Sequence, residues 1–252
     1  MKVVILAGGI GSRMGDETRI KPKAMVEIGG LPILIHIINI YSHYGFNEFI
    51  VCAGYKCNYL IDNLGEHYHI APVKHDDFAF AFHSAGNMAC NIMVVDTGES
   101  TQTGGRLKRV QKYIGDQTIM LTYGDGLCDV DLTKLLHFHR AHGKQATITA
   151  VKWPDTIEKG VADIDTNGLV RAFHEKGHSG ELINAGFMVL EPRVFNYLSD
   201  DNSILEVDAM MKLCYDRELM AYRHDGFWQC MDSVEEKEYL ESLVASGTPP
   251  WM

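Results

Sequence analysis

The segment Gly8-Gly9-Ile10-Gly11-Ser12-Arg13, presented by the end of a short hydrophobic run at Leu6 and Ala7, has the composition of an anion cradle. Glycines let a backbone approach a phosphate closely, and successive N–H groups can then surround it. Arg13 adds a delocalised, permanent charge matched to phosphate oxygens. Lys21 and Lys23 follow on either side of Pro22, which favours an extended segment. The pattern is not a dinucleotide fingerprint, because Met14 stands where a third glycine would be needed. The run Glu48–Ala53 also ends in Ala53-Gly54-Tyr55, without an acid to grip a ribose. Nor is it an ATPase loop, since no Gly-Lys-Ser/Thr occurs.

Triphosphates arrive with Mg²⁺, which takes one or two carboxylates beside phosphate oxygens and water. Asp125, in Tyr123-Gly124-Asp125-Gly126, sits at the end of an apolar run and between glycines. A simple turn is the plain alternative for that pattern. Asp232, in Trp228-Gln229-Cys230-Met231-Asp232-Ser233, closes an extended stretch just before a helical one; its plain alternative is a helix N-cap. Sequence spacing alone does not bring these two acids together. A third cluster, His137, His139 and His142, places two imidazoles on one helix face. A metal site is conceivable there, but a half-exposed polar face is the preferred reading.

Composition narrows the ligand. A net charge of −10 over 252 residues argues against a general nucleic-acid surface, while leaving room for a local cationic pocket. No stretch approaches the roughly 20 apolar residues of a membrane span. The opening run Met1–Gly9 is too short for a secretory leader and reads as a first buried strand. The six cysteines show no CxxC spacing and read as buried free thiols of a cytoplasmic protein.

Alternating patterns supply the elements that would position these groups. Strands are expected at Lys2–Ala7, Glu48–Ala53, Ile92–Val95, Gln117–Tyr123 and Ala146–Trp153, with Phe78–Phe82 as an edge strand. Helices are expected at Leu31–Tyr44, Asn58–Tyr68, Arg106–Ile114 and Leu132–His142. Strand–helix alternation implies an α/β fold: a mostly parallel central sheet flanked by helices, with ligands at the carboxyl ends of strands. Both the glycine loop and Asp125 fall at such ends. Beyond Trp153 the pattern turns mixed or antiparallel. Val161–Ile164 and Leu169–Phe173 flank Asn167-Gly168 as a hairpin, followed by a strand at Phe187–Leu190 and a helix at Ile204–Leu219. An extended run at Met220–Trp228 and a terminal helix at Val234–Ala245 complete it.

Several motifs recur in a fixed order: Ile5 through Arg13, Lys21-Pro22-Lys23-Ala24-Met25-Val26-Glu27-Ile28-Gly29-Gly30, Asp96-Thr97-Gly98, Thr103-Gly104-Gly105-Arg106-Leu107-Lys108-Arg109-Val110 and Tyr123-Gly124-Asp125-Gly126. Phe138-His139, Glu175-Lys176, Ile183-Asn184-Ala185-Gly186-Phe187 and Gly226-Phe227-Trp228-Gln229 continue the series. From end to end the chain resembles the sugar-nucleotide pyrophosphorylase family, in its cytidylyl branch. The resemblance implies a single nucleotidyltransferase domain of the nucleotide-diphospho-sugar transferase type over residues 1–252. Residues 1–153 would form its nucleotide-binding half, and residues 154–252 a smaller, mixed sugar-side half. It implies transfer of a cytidylyl group from CTP to a sugar 1-phosphate, glucose 1-phosphate first, with release of pyrophosphate. Another phosphorylated or phosphonate acceptor, or a uridylyl or thymidylyl enzyme, stays open.

Residue by residue, the resemblance gives Arg13, Lys23 and Asp125 to catalysis. It gives Leu6, Ala7, Gly8, Gly9, Gly11, Ser12, Arg13, Lys23, Thr103, Arg106 and Asp125 to the nucleotide. Tyr123, Glu175, Lys176 and Asn184 go to the acceptor, and Asp125 and Asp232 to Mg²⁺. Homo-oligomers, hexamers included, are implied as well, with no nucleic-acid or membrane partner. Departures fall on the acceptor side: Gly177 follows Glu175-Lys176, and Glu158-Lys159-Gly160 precedes the hairpin. The acceptor is therefore the open variable.

Overall fold

A computed structural model describes residues 1–84, 89–152, 161–174 and 182–252. The chain forms two compact units, each assembled from separated stretches: Met1–Thr101, Thr122–Asp129 and Phe227–Met252 in the first, Gln102–Leu121 and Val130–Gly226 in the second.

In the first unit, Lys2–Leu6 pairs in parallel with Glu48–Ala53, register Lys2 to Glu48. Glu48–Ala53 pairs in parallel with Asn91–Asp96. Val3, Val4, Ile5, Val51, Cys52 and Ala53 are fully buried, as expected of parallel strands covered on both faces. Helix Cys57–Tyr68 buries Cys57, Leu60, Ile61 and Leu64, the i, i+3, i+4, i+7 stripe of a helix lying on a sheet. Helix Ile33–His43 is buried at eight of its eleven positions. Ala79–Phe82 runs antiparallel to Asn91–Asp96 and pairs on its other side with Val73–Lys74. It is therefore not the edge strand expected; its outer neighbour is too short to leave a periodic signal. The C-terminal end is tied down by Trp251, whose indole N–H donates to Nδ1 of buried His36 at 3.2 Å. That leaves Nε2 of His36 to donate to the Ile28 carbonyl at 2.9 Å.

In the second unit, Ala146–Lys152 is the central strand. Met188–Leu190 and Leu182–Asn184 pair antiparallel with its two halves on one side, and Leu219–His224 lies parallel on the other. Val161–Ile164 joins Leu182–Asn184 to Val170–His174, the expected hairpin. The first three residues of strand Ile119–Tyr123 pair with Met188–Leu190. The α/β class thus holds, with parallel strands at the centre of the first unit's sheet and a mixed, largely antiparallel region in the second.

The helix expected over Ile204–Leu219 is shorter: a π turn at Leu205–Met210, then an α-helix at Met211–Tyr215. Leu219 and Met220 share the apolar character of that helix, but they are taken by the ladder to Ala146 and Thr147. Tertiary pairing overrides local propensity there.

The histidine cluster is also more ordered than a half-exposed face. His139 is buried, and a directed chain of hydrogen bonds fixes both rings. The Lys144 backbone N–H donates to Nδ1 of His142 at 2.9 Å, so Nε2 of His142 carries the proton and donates to the Thr147 hydroxyl at 2.7 Å. Thr147 donates in turn to Nδ1 of His139 at 2.8 Å, and Nε2 of His139 donates to the Glu191 carboxylate at 3.1 Å. Burial, the first cause in each case, pushes both imidazoles below their ordinary value, that of His142 to about 4.

All six cysteines are buried thiols. Among the described residues no helix is long and apolar enough to cross a membrane.

Candidate active site

The glycine loop begins where Ala7 leaves the first strand, its N–H still bonded to the Cys52 carbonyl at 3.0 Å. Gly11 has φ of +69°, and a Cβ built there would stand 2.9 Å from Cβ of Lys23. The loop therefore turns left-handed and passes directly over the lysine stem, which only glycine allows. The Gly11 carbonyl accepts from the Met14 N–H at 3.0 Å and from the Thr18 hydroxyl at 3.0 Å, fixing the turn. Gly9, Ile10, Ser12 and Arg13 remain exposed. Two distant lysines brace the rest. Lys56 donates to the Arg19 and Ile20 carbonyls at 2.5 and 3.0 Å, satisfying a helix end, and Lys237 pairs with Glu17 at 2.5 Å.

Beneath the loop, the Lys23 ammonium is held between two carboxylates, 2.5 Å from Asp125 and 2.5 Å from Asp232. Arg13 reaches Asp232 at 3.6 Å from an exposed position. Burial alone would lower the basicity of Lys23. The two acids outweigh it and hold the ammonium above its ordinary value, fully charged. Each acid is placed by backbone. The Gly124 N–H bonds to the Leu6 carbonyl at 2.9 Å, and the Met231 N–H to the Asp125 carbonyl at 2.9 Å. Trp228–Cys230 pairs antiparallel with Gly126–Cys128.

Asp232 is not the helix cap. Ser233 is, in a capping box with Glu236 over helix Val234–Ala245. The Glu236 carboxylate also accepts from the Asp232 backbone N–H and from the Cys230 thiol. Cys230, Asp232 and Glu236 offer ligand atoms within 4.8 Å of one another, but that glutamate is committed to the chain turn. The Asp232 side chain instead faces Lys23. The Ser-x-x-Glu spacing at 233–236 was the sequence signal that could have found this.

Asp125 and Asp232 suit a hard cation. Their oxygens meet at one positively charged nitrogen, and both side chains keep partial exposure, 30% and 19%. That is the donor set Mg²⁺ takes beside phosphate oxygens.

The structure thus brings together Arg13, Lys23, Asp125, Asp232 and the turn from Gly8 to Ser12, all within the first unit. Tyr123, half-buried, belongs to the same unit. Thr103, Arg106 and Asn184 belong to the second. The Thr103 hydroxyl donates to Glu206 at 2.9 Å and accepts from the Leu205 N–H at 2.9 Å. Arg106 is buried. Cβ atoms at Gly104 and Gly105 would stand 2.8 Å from the Ser203 carbonyl oxygen and 2.6 Å from that of Asp201, and Arg109 forks Asp201 at 2.7 and 2.5 Å. This motif docks the Asp201–Glu206 backbone onto a helix. Asn184 caps its own turn through the Gly186 N–H at 3.1 Å. Glu175, Lys176 and Gly177, like Glu158-Lys159-Gly160, lie outside the described residues.

A glycine turn at the end of a parallel strand, over a lysine and two acids, has the charge and backbone arrangement suited to phosphate oxygens and a hard cation. The chain belongs to the nucleotidyl transferase family, whose profile matches residues 2–230. It is 45% identical over 264 aligned residues to the glucose-1-phosphate cytidylyltransferase of Salmonella typhi, covering 100% of this chain and 98% of that protein. The solved structure of HddC from Yersinia pseudotuberculosis superposes with a TM-score of 0.78 at 25% identity, covering 96% of this chain and 98% of that one. A UDP-glucose pyrophosphorylase, solved with UDP-glucose, has the same fold: TM-score 0.78 at 16% identity over 98% of each chain.

Proposed function

We propose that the protein joins CTP and α-D-glucose 1-phosphate to give CDP-glucose and pyrophosphate. The observation that carries the chemistry is the convergence of Lys23, Asp125 and Asp232 beneath the glycine turn. The likeness to the Salmonella typhi protein supports the choice of base and sugar.

The acceptor phosphate is already anionic at neutral pH. One of its oxygens attacks the α-phosphorus, a new P–O bond forms, and the bond to the departing pyrophosphate breaks. No general base and no covalent enzyme intermediate are needed. What the chain must do is align two anions and stabilise the charge gathering on the leaving group. Gly8, Gly9, Gly11 and Ser12 would cradle the triphosphate with backbone N–H groups, while Leu6 and Ala7, the latter with its N–H tied to the Cys52 carbonyl, would line the nucleotide at the strand end. Arg13 and Lys23 would meet its oxygens with fixed charge. Asp125 and Asp232 would hold Mg²⁺, which supplies further neutralisation of phosphate charge. Thr103 and Arg106 are assigned to the nucleotide, and Tyr123, Glu175, Lys176 and Asn184 to the acceptor, by resemblance. The same reading takes residues 1–153 and 154–252 as nucleotide-binding and acceptor-binding halves of one domain. It carries a cytoplasmic homo-oligomer with it; six buried cysteines in the thiol form suit a reducing compartment.

Pyrophosphate release across the four nucleoside triphosphates and several sugar 1-phosphates tests it. CTP with glucose 1-phosphate should exceed every other pair. A site that pairs the cytosine amino group rejects uracil by about 10⁴-fold where buried polar groups are left unpaired. Equal efficiency with UTP would remove the base assignment. Release only with another acceptor would remove glucose while keeping the transferase.

A further inference from the structure

We propose that Lys23 is the built-in counter-cation of Asp125 and Asp232 in the nucleotide-free enzyme. It yields the two acids to a divalent metal only when a triphosphate takes over its ammonium group. The inference rests on the reading of Asp125 and Asp232 as metal ligands.

The geometry excludes joint occupancy of the two facing carboxylate oxygens. The Lys23 nitrogen is 2.5 Å from one oxygen of each acid, so those oxygens are no further apart than twice that distance. A Mg²⁺ ion sits about 2.0–2.1 Å from carboxylate oxygens. An ion bridging the same two oxygens would stand almost on top of the ammonium group, against both van der Waals contact and like-charge repulsion. Metal binding through those two oxygens therefore requires the ammonium to leave.

Its departure is directed. The Lys23 side chain is 13% exposed, and its stem lies under Gly11, whose position would bring a Cβ within 2.9 Å of it. Ala24 and Met25 beside it are buried. The stem is anchored, and the terminal carbons move the charge. Gly11, which packs on the stem, belongs to the turn where phosphates would lie.

Charge balance points the same way. Asp125 and Asp232 are matched by Lys23 and by Arg13, the latter 3.6 Å from Asp232. A divalent metal arriving alone would leave the cluster with two surplus positive charges. A metal arriving with a triphosphate brings more negative charge than it removes, and Lys23 has a new partner to move to. The device makes metal affinity conditional on nucleotide, and linkage makes nucleotide affinity conditional on metal to the same degree.

Mn²⁺, read by the loss of the free-ion EPR signal, is the probe. Wild-type protein alone is expected to bind it weakly, and wild-type protein with CTP but no sugar phosphate tightly. Lys23→Met and Lys23→Gln should bind Mn²⁺ about tenfold or more tightly than wild type without any CTP, because the competing group is gone. Two substitutions are used so that either folded variant serves. Arg13→Met removes a charge of the same sign near Asp232 without vacating the space between the acids, and should change Mn²⁺ affinity far less. If wild type binds Mn²⁺ without CTP as tightly as the Lys23 variants, the inference is overturned. It is equally overturned if Arg13→Met gains as much as Lys23→Met, since charge alone would then explain the gain. If no Mn²⁺ binding depends on Asp125 or Asp232 in any form, with or without CTP, the metal-ligand reading itself falls and takes this inference with it.

Discussion

The Lys23 ammonium lies 2.5 Å from the Asp232 carboxylate, although 209 positions separate the two in the chain. That contact closes the site, because it brings the far end of the chain under the first loop. Asp125→Asn and Asp232→Asn each remove one acid from the pair. Turnover is expected to fall on the order of 10²-fold or more in each, the scale of a lost preorganised charge. Near-wild-type circular dichroism should accompany the loss, since both side chains are partly open to solvent. Pyrophosphate release with and without EDTA measures it. Two variants with full activity in EDTA would end the metal assignment.

Gly11→Val puts a β-branched side chain at φ of +69° and a Cβ 2.9 Å from Lys23. The turn must open or the lysine must shift, and either would spoil the proposed phosphate cradle. Calorimetric affinity for CTP is expected to vanish into the background. Unchanged affinity would mean that the triphosphate lies elsewhere.

The elements around this loop were legible because parallel strands and amphipathic helices write their period into the sequence. Glu48–Ala53, Leu132–His142 and Val234–Ala245 were expected at the bounds they have. The convergence on Lys23 was not legible. Neither Asp125 nor Asp232 carries a local sign of the other, and only the chain's return through Trp228–Cys230 beside Gly126–Cys128 joins them. Resemblance supplied what spacing lacked. The helix stops short of Leu219 because an apolar stripe does not say which partner will claim it, and strand pairing claims this one. The packing at Gly104 and Gly105 was not legible either: the space a glycine leaves does not name its occupant, and here it is the Asp201–Ser203 backbone.

The His139–Thr147–His142 chain predicts a pH dependence. Both imidazoles titrate below their ordinary value when folded, chiefly through burial, while Glu191 opposes the shift at His139 and Lys144 adds to it at His142. Between the unfolded value, about 6.5, and the folded one the unfolded chain binds more protons. Their contribution is therefore present above pH 6.5 and is lost as pH falls toward about 4, where His142 itself titrates. Thermal melting should show a decline across that window. Thr147→Val, which breaks the chain at its centre, should lower the melting temperature at pH 8 and flatten the slope below 6.5. An unchanged slope would show that other groups govern the acid limb.

Gly105→Ala separates packing from ligand binding in the Thr103–Arg109 motif. An added Cβ would stand 2.6 Å from the Asp201 carbonyl oxygen and 2.7 Å from its Cα, and backbone cannot give way as the end of a side chain can. The Gln102 and Gly105 N–H groups bond to the Asp201 and Ser203 carbonyls at 2.8 and 2.9 Å, so displacing that segment strains or breaks both bonds. Overpacking of this kind costs about 1–3 kcal/mol, and about 2–4 °C of melting temperature accompanies each kcal/mol in a chain of this size. If the motif's task is to dock Asp201–Glu206, Gly105→Ala will melt several degrees lower while the folded fraction keeps its CTP affinity. If the glycine instead admits the nucleotide, affinity for CTP will fall more than tenfold with little change in melting. Differential scanning calorimetry beside calorimetric CTP titration distinguishes the two, and the contacts on Asp201 favour the first.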